Sequence, residues 1–325
     1  MTTTVSVVIP MLNEFGYIED CLQGLAAQTH SRDALDVIVV DSGSTDGSRR
    51  VVDEWARRQS WVRVIENPKG SAAAAFNRGF EAAKGDVVCL MSSHGVPSPS
   101  YIEHSVRVLE ETDAAGVGGR VDHCSPDPIS AAIGLAMMSP FGMASQHRYS
   151  DKRQEVDTIS HPAYWRTAVL DVGPFDETLA RNSDYELNYR LRAAGRSLVF
   201  DPSVESVYRP RGSLLRLAQQ FWWYGRWKAR VIRRQPRSLR LRHLVAPCAA
   251  GGLLTVPVLI RCKSGRRAVM AGAIGYGALA TLAVLRARPR EHGASPAVVA
   301  TAFPIMHLSW GFGFLRSLLQ DAVSG

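Results

Sequence analysis

Four short runs of β-branched and apolar residues, Val5–Ile9, Val37–Val40, Val62–Ile65 and Val87–Met91, punctuate the N-terminal part of this chain. Each is apolar at consecutive positions, the pattern of a strand buried on both faces of a parallel sheet. Between them Ile18, Cys21, Leu22 and Leu25 recur at helical spacing, and so do Val51, Val52 and Trp55. Strand and helix in alternation predict a doubly wound α/β domain with right-handed crossovers. Ligands of such sheets sit beyond the carboxyl ends of the strands. Pro10–Glu14, Asp41–Gly47 and Ser92–His94 are therefore expected along one rim, although they are far apart in sequence.

The 325 residues leave room for a domain of roughly 200–250 residues and an appendage. A net charge of +8 calls for an anionic partner, whether nucleic acid, anionic lipid or a phosphate-bearing substrate. The charge concentrates between Arg209 and Arg242, where acidic residues are almost missing. From Leu244 onward three Gly/Ala-rich apolar segments follow, Leu244–Ile260, Ala268–Leu285 and Ser295–Leu315. A membrane span takes about 20 apolar residues. Spans are the expectation, with re-entrant or interfacial helices and a buried helical subdomain still open. Every flank is basic, so charge bias leaves the topology open. The expected division is a catalytic domain over 1–210, a basic interface region over 211–243, and membrane-embedded helices over 244–325. Cys21, Cys89, Cys124, Cys248 and Cys262 form no CxxC pair and read as reduced thiols. A strand begins at Val5, which leaves no room for a signal peptide, so the catalytic part is expected in the cytoplasm at the cell membrane.

VSVVIPMLNE followed by VIVVDSGSTDGS resembles the opening of the family 2 glycosyltransferases, which have the GT-A fold. The resemblance covers residues 5 to about 235. It implies nucleotide-sugar binding by Pro10, Asn13 and Glu14 at the first strand end, and by Asp41, Gly43 and Ser44 at the second. The residues themselves agree. Asp41 can accept a hydrogen bond from a base N–H or a ribose hydroxyl, Gly43 and Gly47 permit close backbone approach, and Ser44 or Thr45 can cap the next helix. A plain strand-to-helix turn is the bland alternative. KGSAAAAFNRGFEAAKGD resembles the segment whose Ala-Arg-Asn-x-Gly start lies against the nucleotide. Asn77 and Gly79 match, while Phe76 stands where the family has Arg, with Lys69 or Arg78 as substitutes.

Departure of a nucleoside diphosphate leaves charge that must be neutralised, and the GT-A solution is a divalent cation, Mn²⁺ or Mg²⁺, on an Asp-x-Asp corner. The equivalent here is Ser92, Ser93 and His94. An Asp-x-His occurs in the succinoglycan-type glucosyltransferase branch, so the resemblance makes His94 the metal ligand, with Ser92 and Ser93 on the nucleotide sugar. Serine is a poor ligand for these ions. A weakly held cation, cationic side chains in its place, and lost activity all stay open.

RNSDYELNYRLRAAG resembles the segment that supplies the general base, which the resemblance assigns to Asp184. Ser183 and Glu186 have capping-box spacing, Gly195 ends the helix, and Asp184 falls in a first turn that favours negative charge. A charge that merely stabilises the helix is the alternative. The stretch up to Arg230 resembles the Gln-x-x-Arg-Trp region of lipid-linked members, with Gln220, Arg226 and Trp227 on the acceptor or diphosphate side. Leu214, Leu217, Phe221 and Tyr224 form an apolar stripe on a basic helix, as at a membrane surface. Nothing resembles a nucleic-acid module. The expected protein is an inverting glycosyltransferase using a nucleotide sugar, UDP-linked, and a lipid-linked or saccharide acceptor in exopolysaccharide, cell-wall or glycolipid synthesis. A non-catalytic, membrane-attached sugar-nucleotide-binding scaffold is the alternative, and a polysaccharide synthase a third. The loop Ser139–Glu155 suits a specificity flap.

Overall fold

The computed structural model describes residues 2–123, 125, 127–142, 150–179, 181–210 and 212–322. The chain forms two compact units, Met1–Asp122 with Gln146–Tyr208, and His123–Ser145 with Arg209–Gly325. Cys124 and the central part of the expected flap, 143–149, lie outside the described residues.

The first unit is built on a sheet. β1 (Val5–Met11), β2 (Leu35–Asp41), β3 (Val62–Glu66) and β4 (Val87–Leu90) are the four runs read from the sequence. β1 pairs in parallel with both β2 and β4, and β2 with β3. The remaining strands are β5 (Gly95–Pro97), β6 (Gly116–His123), β7 (Gln154–Glu155), β8 (Ala163–Trp165) and β9 (Leu198–Tyr208). The sheet runs β3-β2-β1-β4-β8-β6-β9-β5, with β7 on β9. β8 is antiparallel to β4 and to β6, and β9 is antiparallel to β5 and β7, so the sheet is mixed.

Consecutive apolar residues give this sheet two buried faces. Val7, Ile9, Val37, Val39 and Cys89 meet α1 (Ile18–Ala26), α2 (Ser48–Arg58) and later α4 (Tyr101–Thr112) through Leu22, Val52 and Ile102. Val8, Ile38, Val40, Val88 and Leu90 meet α3 (Ala72–Ala82), α6 (Arg166–Val172) and α7 (Ser183–Ala193) through Ala75, Val169, Leu187 and Leu191. Each such side chain contributes about 1.5–3 kcal/mol by leaving water. Parallel β1, β2 and β4 therefore deliver their carboxyl ends to one side.

The second unit is helical: α5 (Pro128–Met138), α8 (Leu214–Arg234), α9 (Arg242–Leu259), α10 (Lys263–Ala287) and α11 (Pro296–Ala322). Residues 123–142 fall in this unit although the sequence reading counted them with the catalytic domain. The reason is composition. Ala131, Ala132, Ile133 and Ala136 of α5 share one apolar core with Phe303, Met306 and Trp310 of α11.

The apolar stripe of α8 is covered in the same way, since Leu217 and Phe221 are buried with Trp310 and Phe314. Glycine makes the approach possible. A Cβ on Gly225 would stand 2.0 Å from the Trp310 carbonyl oxygen, and one on Gly313 would stand 2.2 Å from that of Trp222. By contrast α10 is left bare, with Met270, Ile274, Leu279, Leu282 and Leu285 exposed. Helices α9, α10 and α11 are long and apolar enough to cross a membrane, and lipid is the medium in which such a surface is stable. Backbone contact at Gly313 cannot be relieved by a rotamer change. Gly313→Val is expected to cost about 1–3 kcal/mol or more, read as a lower midpoint in thermal unfolding of the detergent-solubilised protein.

Candidate active site

The tips of β1 and β2 are laced together by side-chain-to-backbone hydrogen bonds. Asp41, at the end of β2, accepts from the backbone N–H and the hydroxyl of Ser44 at 3.1 and 2.6 Å, both through Oδ1. Ser44 Oγ in turn accepts the backbone N–H of Asn13 at 3.0 Å, and Asn13 Oδ1 accepts that of Thr45 at 2.8 Å. Ser48 Oγ accepts the backbone N–H of Glu14 at 2.7 Å. Asp46 accepts the Phe15 and Ser48 backbone N–H groups at 2.9 and 3.0 Å and also binds the Ser48 hydroxyl. Two loops 30 residues apart thus form one structure, made possible by left-handed backbone at Asn13, Gly43 and Gly47. Pro10 lies on β1 just before it.

The lacing changes some expected roles. Ser44 and Thr45 do not cap α2, whose N-cap is Gly47. Both are occupied by the inter-loop contacts, and Asp46 and Ser48, unremarked in the sequence reading, organise the turn. The second oxygen of Asp41 lies 3.7 Å from Arg49 Nη1, whose Nε holds Asp53 at 2.9 Å. At Asp46, partial desolvation works against ionisation, but hydrogen bonds from the Ser48 hydroxyl and the Phe15 and Ser48 backbones outweigh it and hold the carboxyl below the usual range.

The tip of β4 carries Ser92, Ser93 and His94. Ser92 Oγ accepts the His94 backbone N–H at 3.3 Å, and its carbonyl accepts that of Gly95 at 2.7 Å, so this serine shapes a turn. Ser93 is buried beside it. His94 is 6% exposed, and its Nε2 lies 2.6 Å from Glu14 Oε2. Its ring packs against Tyr17 at 4.2 Å and Tyr208 at 5.8 Å.

The expectation of His94 as a metal ligand meets this geometry badly. Among the described residues no three carboxylate, imidazole or thiol groups converge on one point. The corner offers one imidazole already engaged by Glu14, and serine hydroxyls, which suit Mg²⁺ and Mn²⁺ poorly. The described residues thus show no clear metal site, and the serines are a poor donor set for a divalent cation.

Asn77 also has work other than touching a nucleotide. Its Nδ2 donates to the Phe175 carbonyl at 3.0 Å and its Oδ1 accepts the Phe175 N–H at 2.8 Å, as a neighbouring strand would. Nδ2 also reaches Glu177 at 3.0 Å, and Lys69 pairs with Glu177 at 2.6 Å. Phe76, in place of the arginine, packs on Phe175 at 5.1 Å.

From the other side Arg190 grips the same segment. Its guanidinium donates to the carbonyls of Val172, Gly173 and Pro174 at 2.6, 2.9 and 2.8 Å while Nε holds Glu186 at 2.9 Å. Glu186 is therefore a partner for Arg190, and the Ser183–Glu186 capping box does not form. The N-cap is Asn182, and Ser183 is already helical. The helix does end at Gly195, with Arg196 N–H on the Leu191 carbonyl at 3.0 Å.

Asp184 stands exposed in the first turn of α7. One turn on, Asn188 accepts the Tyr164 hydroxyl at 2.7 Å, and Tyr164 pairs with Val88, which ties the helix to β4, the strand that leads to Ser92. Burial first, and then the nearby Asp184 charge, push the Tyr164 phenol well above its ordinary value. In the helical unit Gln220 donates to the Tyr224 hydroxyl at 2.8 Å. Arg226 donates to Gln320 at 2.9 Å and lies 4.9 Å from the Trp223 ring, while Arg230 lies 4.4 Å over Trp227.

Residues 6–173 match the family described as Glycosyl transferase family 2. The chain is 31% identical over 98% of its length to the succinoglycan biosynthesis protein ExoA of Rhizobium meliloti, covering 97% of that protein. It is 25% identical to a Methanococcus voltae dolichyl N-acetyl-alpha-D-glucosaminyl phosphate 3-beta-D-2,3-diacetamido-2,3-dideoxy-beta-D-glucuronosyltransferase, over 71% of this chain and 74% of the relative. Its fold is similar to that of the Pyrobaculum calidifontis mannosyltransferase PcManGT, solved with GDP-Man and Mn²⁺ (TM-score 0.66, 19% identity, 98% of this chain and 88% of the other).

If Asn77 is a clamp, Asn77→Ala should cost about 1–3 kcal/mol of stability in urea unfolding while nucleotide affinity of the folded protein stays within about twofold. The depressed Asp46 carboxyl stabilises the fold fully above pH about 4, the unfolded value, and that contribution disappears as pH falls through its lower folded value. Acid titration followed by tryptophan fluorescence should therefore show a shallower acid loss in Asp46→Asn than in the wild type.

Proposed function

Because the chain belongs to glycosyl transferase family 2 and is a glycosyltransferase of the GT-A fold, we propose that it moves a sugar, with inversion, from a UDP-linked donor to a membrane-presented acceptor. A polyprenyl-phosphate-linked saccharide in exopolysaccharide, cell-wall or glycolipid synthesis is the acceptor class. The observation that carries this reading is the laced pair of loops at the tips of β1 and β2, with Asp41 at its centre. Base and ribose lie along Asp41, Gly43 and Ser44, and the diphosphate runs toward Ser92 and Ser93.

Asp184 is the general base in this reading. It takes the proton of the acceptor hydroxyl as that oxygen attacks the anomeric carbon and the bond to the nucleoside diphosphate breaks. Arg190 of the same helix, α7, and Asn77 hold segment 172–177 from two sides, which supports this role because a well-positioned base keeps the attack geometry. The donor set at the β4 tip supports weak reliance on a divalent ion, so no step is assigned to one. Acceptor-side contacts fall to Gln220, Arg226 and Trp227 on α8. The apolar helices put the protein at the membrane, with the sheet unit in the cytoplasm, and the names of the Rhizobium and Methanococcus relatives support the acceptor class.

Purified protein with UDP-, GDP- and dTDP-sugars and a lipid-phosphate saccharide should release one nucleotide and give a product of inverted anomeric configuration by NMR. Asp184→Asn should lower turnover about 10²–10⁴-fold without loss of nucleotide binding, and unchanged turnover would remove Asp184 from the role. EDTA should slow the wild type by less than about tenfold, in keeping with the poor donor set. Nucleotide binding with no sugar moved from any donor would favour the scaffold reading.

A further inference from the structure

The buried pair of Glu14 and His94 ties the tip of β4, which the lacing does not reach, to the laced loop after β1. Glu14 is anchored at both ends of its backbone. Its N–H is held by Ser48 Oγ at 2.7 Å, and its carbonyl accepts the N–H groups of Tyr17 and Ile18 at 3.0 and 3.1 Å where α1 begins. Its Oε2 lies 2.6 Å from His94 Nε2, a close carboxylate–imidazole contact. Both residues are more than nine-tenths buried, where a polar contact is strong and removal of one partner is costly.

The ring has little freedom left. Tyr17 and Tyr208 pack on it. The next residue, Gly95, pairs with Tyr208 and is so crowded that a Cβ would stand 2.7 Å from Met91 Sδ and 2.9 Å from His161 Cε1.

An apolar pair of the same size would keep this corner folded at no greater cost, so stability alone does not account for a carboxylate and an imidazole here. The carboxylate at the β4 tip is supplied from the start of α1, because positions 92 and 93 are serines. Carboxylates that orient a working imidazole from behind are a recurrent device. We propose that Glu14 is a positioning residue: it holds the His94 imidazole, and with it the Ser92–His94 turn, in register with the nucleotide loop for departure of the diphosphate. Glu14 therefore does not touch the donor. This rests on the transferase reading above.

The test compares wild type, Glu14→Gln and Glu14→Ala, using the donor found active in the panel and its free nucleoside diphosphate as the binding probe. Glutamine keeps a polar group of the same reach beside Nε2; alanine does not. Glu14→Ala should lose about 10–100-fold in kcat, the range for a misplaced group, with nucleoside diphosphate Kd within about threefold of wild type. Glu14→Gln should recover most of that kcat. A Kd that rises in step with the fall in kcat/KM, equal loss in both variants, or no loss in either would overturn the assignment.

¹⁵N-histidine NMR of the wild type and the milder Glu14→Gln reads the ring without turnover. A shifted His94 Nε2 resonance on replacement is expected, and an unaltered His94 ring would refute the contact even if the alanine variant fails to fold. A wild type that turns over no donor sinks the transferase reading instead, while the ring signal still decides the contact.

Discussion

Hydrogen bonds between short polar side chains and backbone N–H groups make this site possible. Strand tips leave peptide groups unpaired where the ladder stops, and water or a side chain must satisfy them. Here Ser44, Asn13, Asp46 and Ser48 do so across the gap between β1 and β2. The exchange is local in energy but long in sequence. It turns two loops into one wall and fixes Asp41 behind it, leaving an oxygen near Arg49. Without it the parallel strands would still pack, but their ends would be separate turns with no common surface.

The same economy recurs at α7. Arg190 satisfies three carbonyls beyond the end of α6, and Asn77 presents Phe175 with the donor and acceptor of a missing strand. Neither contact adds much apolar burial. Together they pin residues 172–175 beside α7, the helix that carries Arg190. The planar fork of arginine is suited to this in a way that lysine's single ammonium is not.

Much of the sheet was legible before any coordinates. β1 to β4 announce themselves because a strand buried on both faces has no polar positions to confuse the pattern, and α1, α2 and the three apolar helices follow from spacing and length. β5, β7 and β8 were not legible. They are two or three residues long, too short to show a period, and exist because neighbours supply the ladder. Structural roles were hidden for a related reason. Ser44 looked like a helix cap, and the hold of Asn77 on the chain was invisible, because their partners Asn13 and Phe175 are 31 and 98 positions away. Glu186 was the exception with a visible clue, since Arg190 stands four residues on, the spacing of a helical ion pair.

The membership of α5 in the helical unit bears on how the protein comes to be made. This apolar helix leaves the ribosome early, yet Phe303, Met306 and Trp310, the residues that cover it, belong to the last helix of the chain. During synthesis its oily side chains must wait for well over a hundred residues of further translation. Closure of the helical unit then waits for the synthesis of α11, whatever the speed at which the sheet forms.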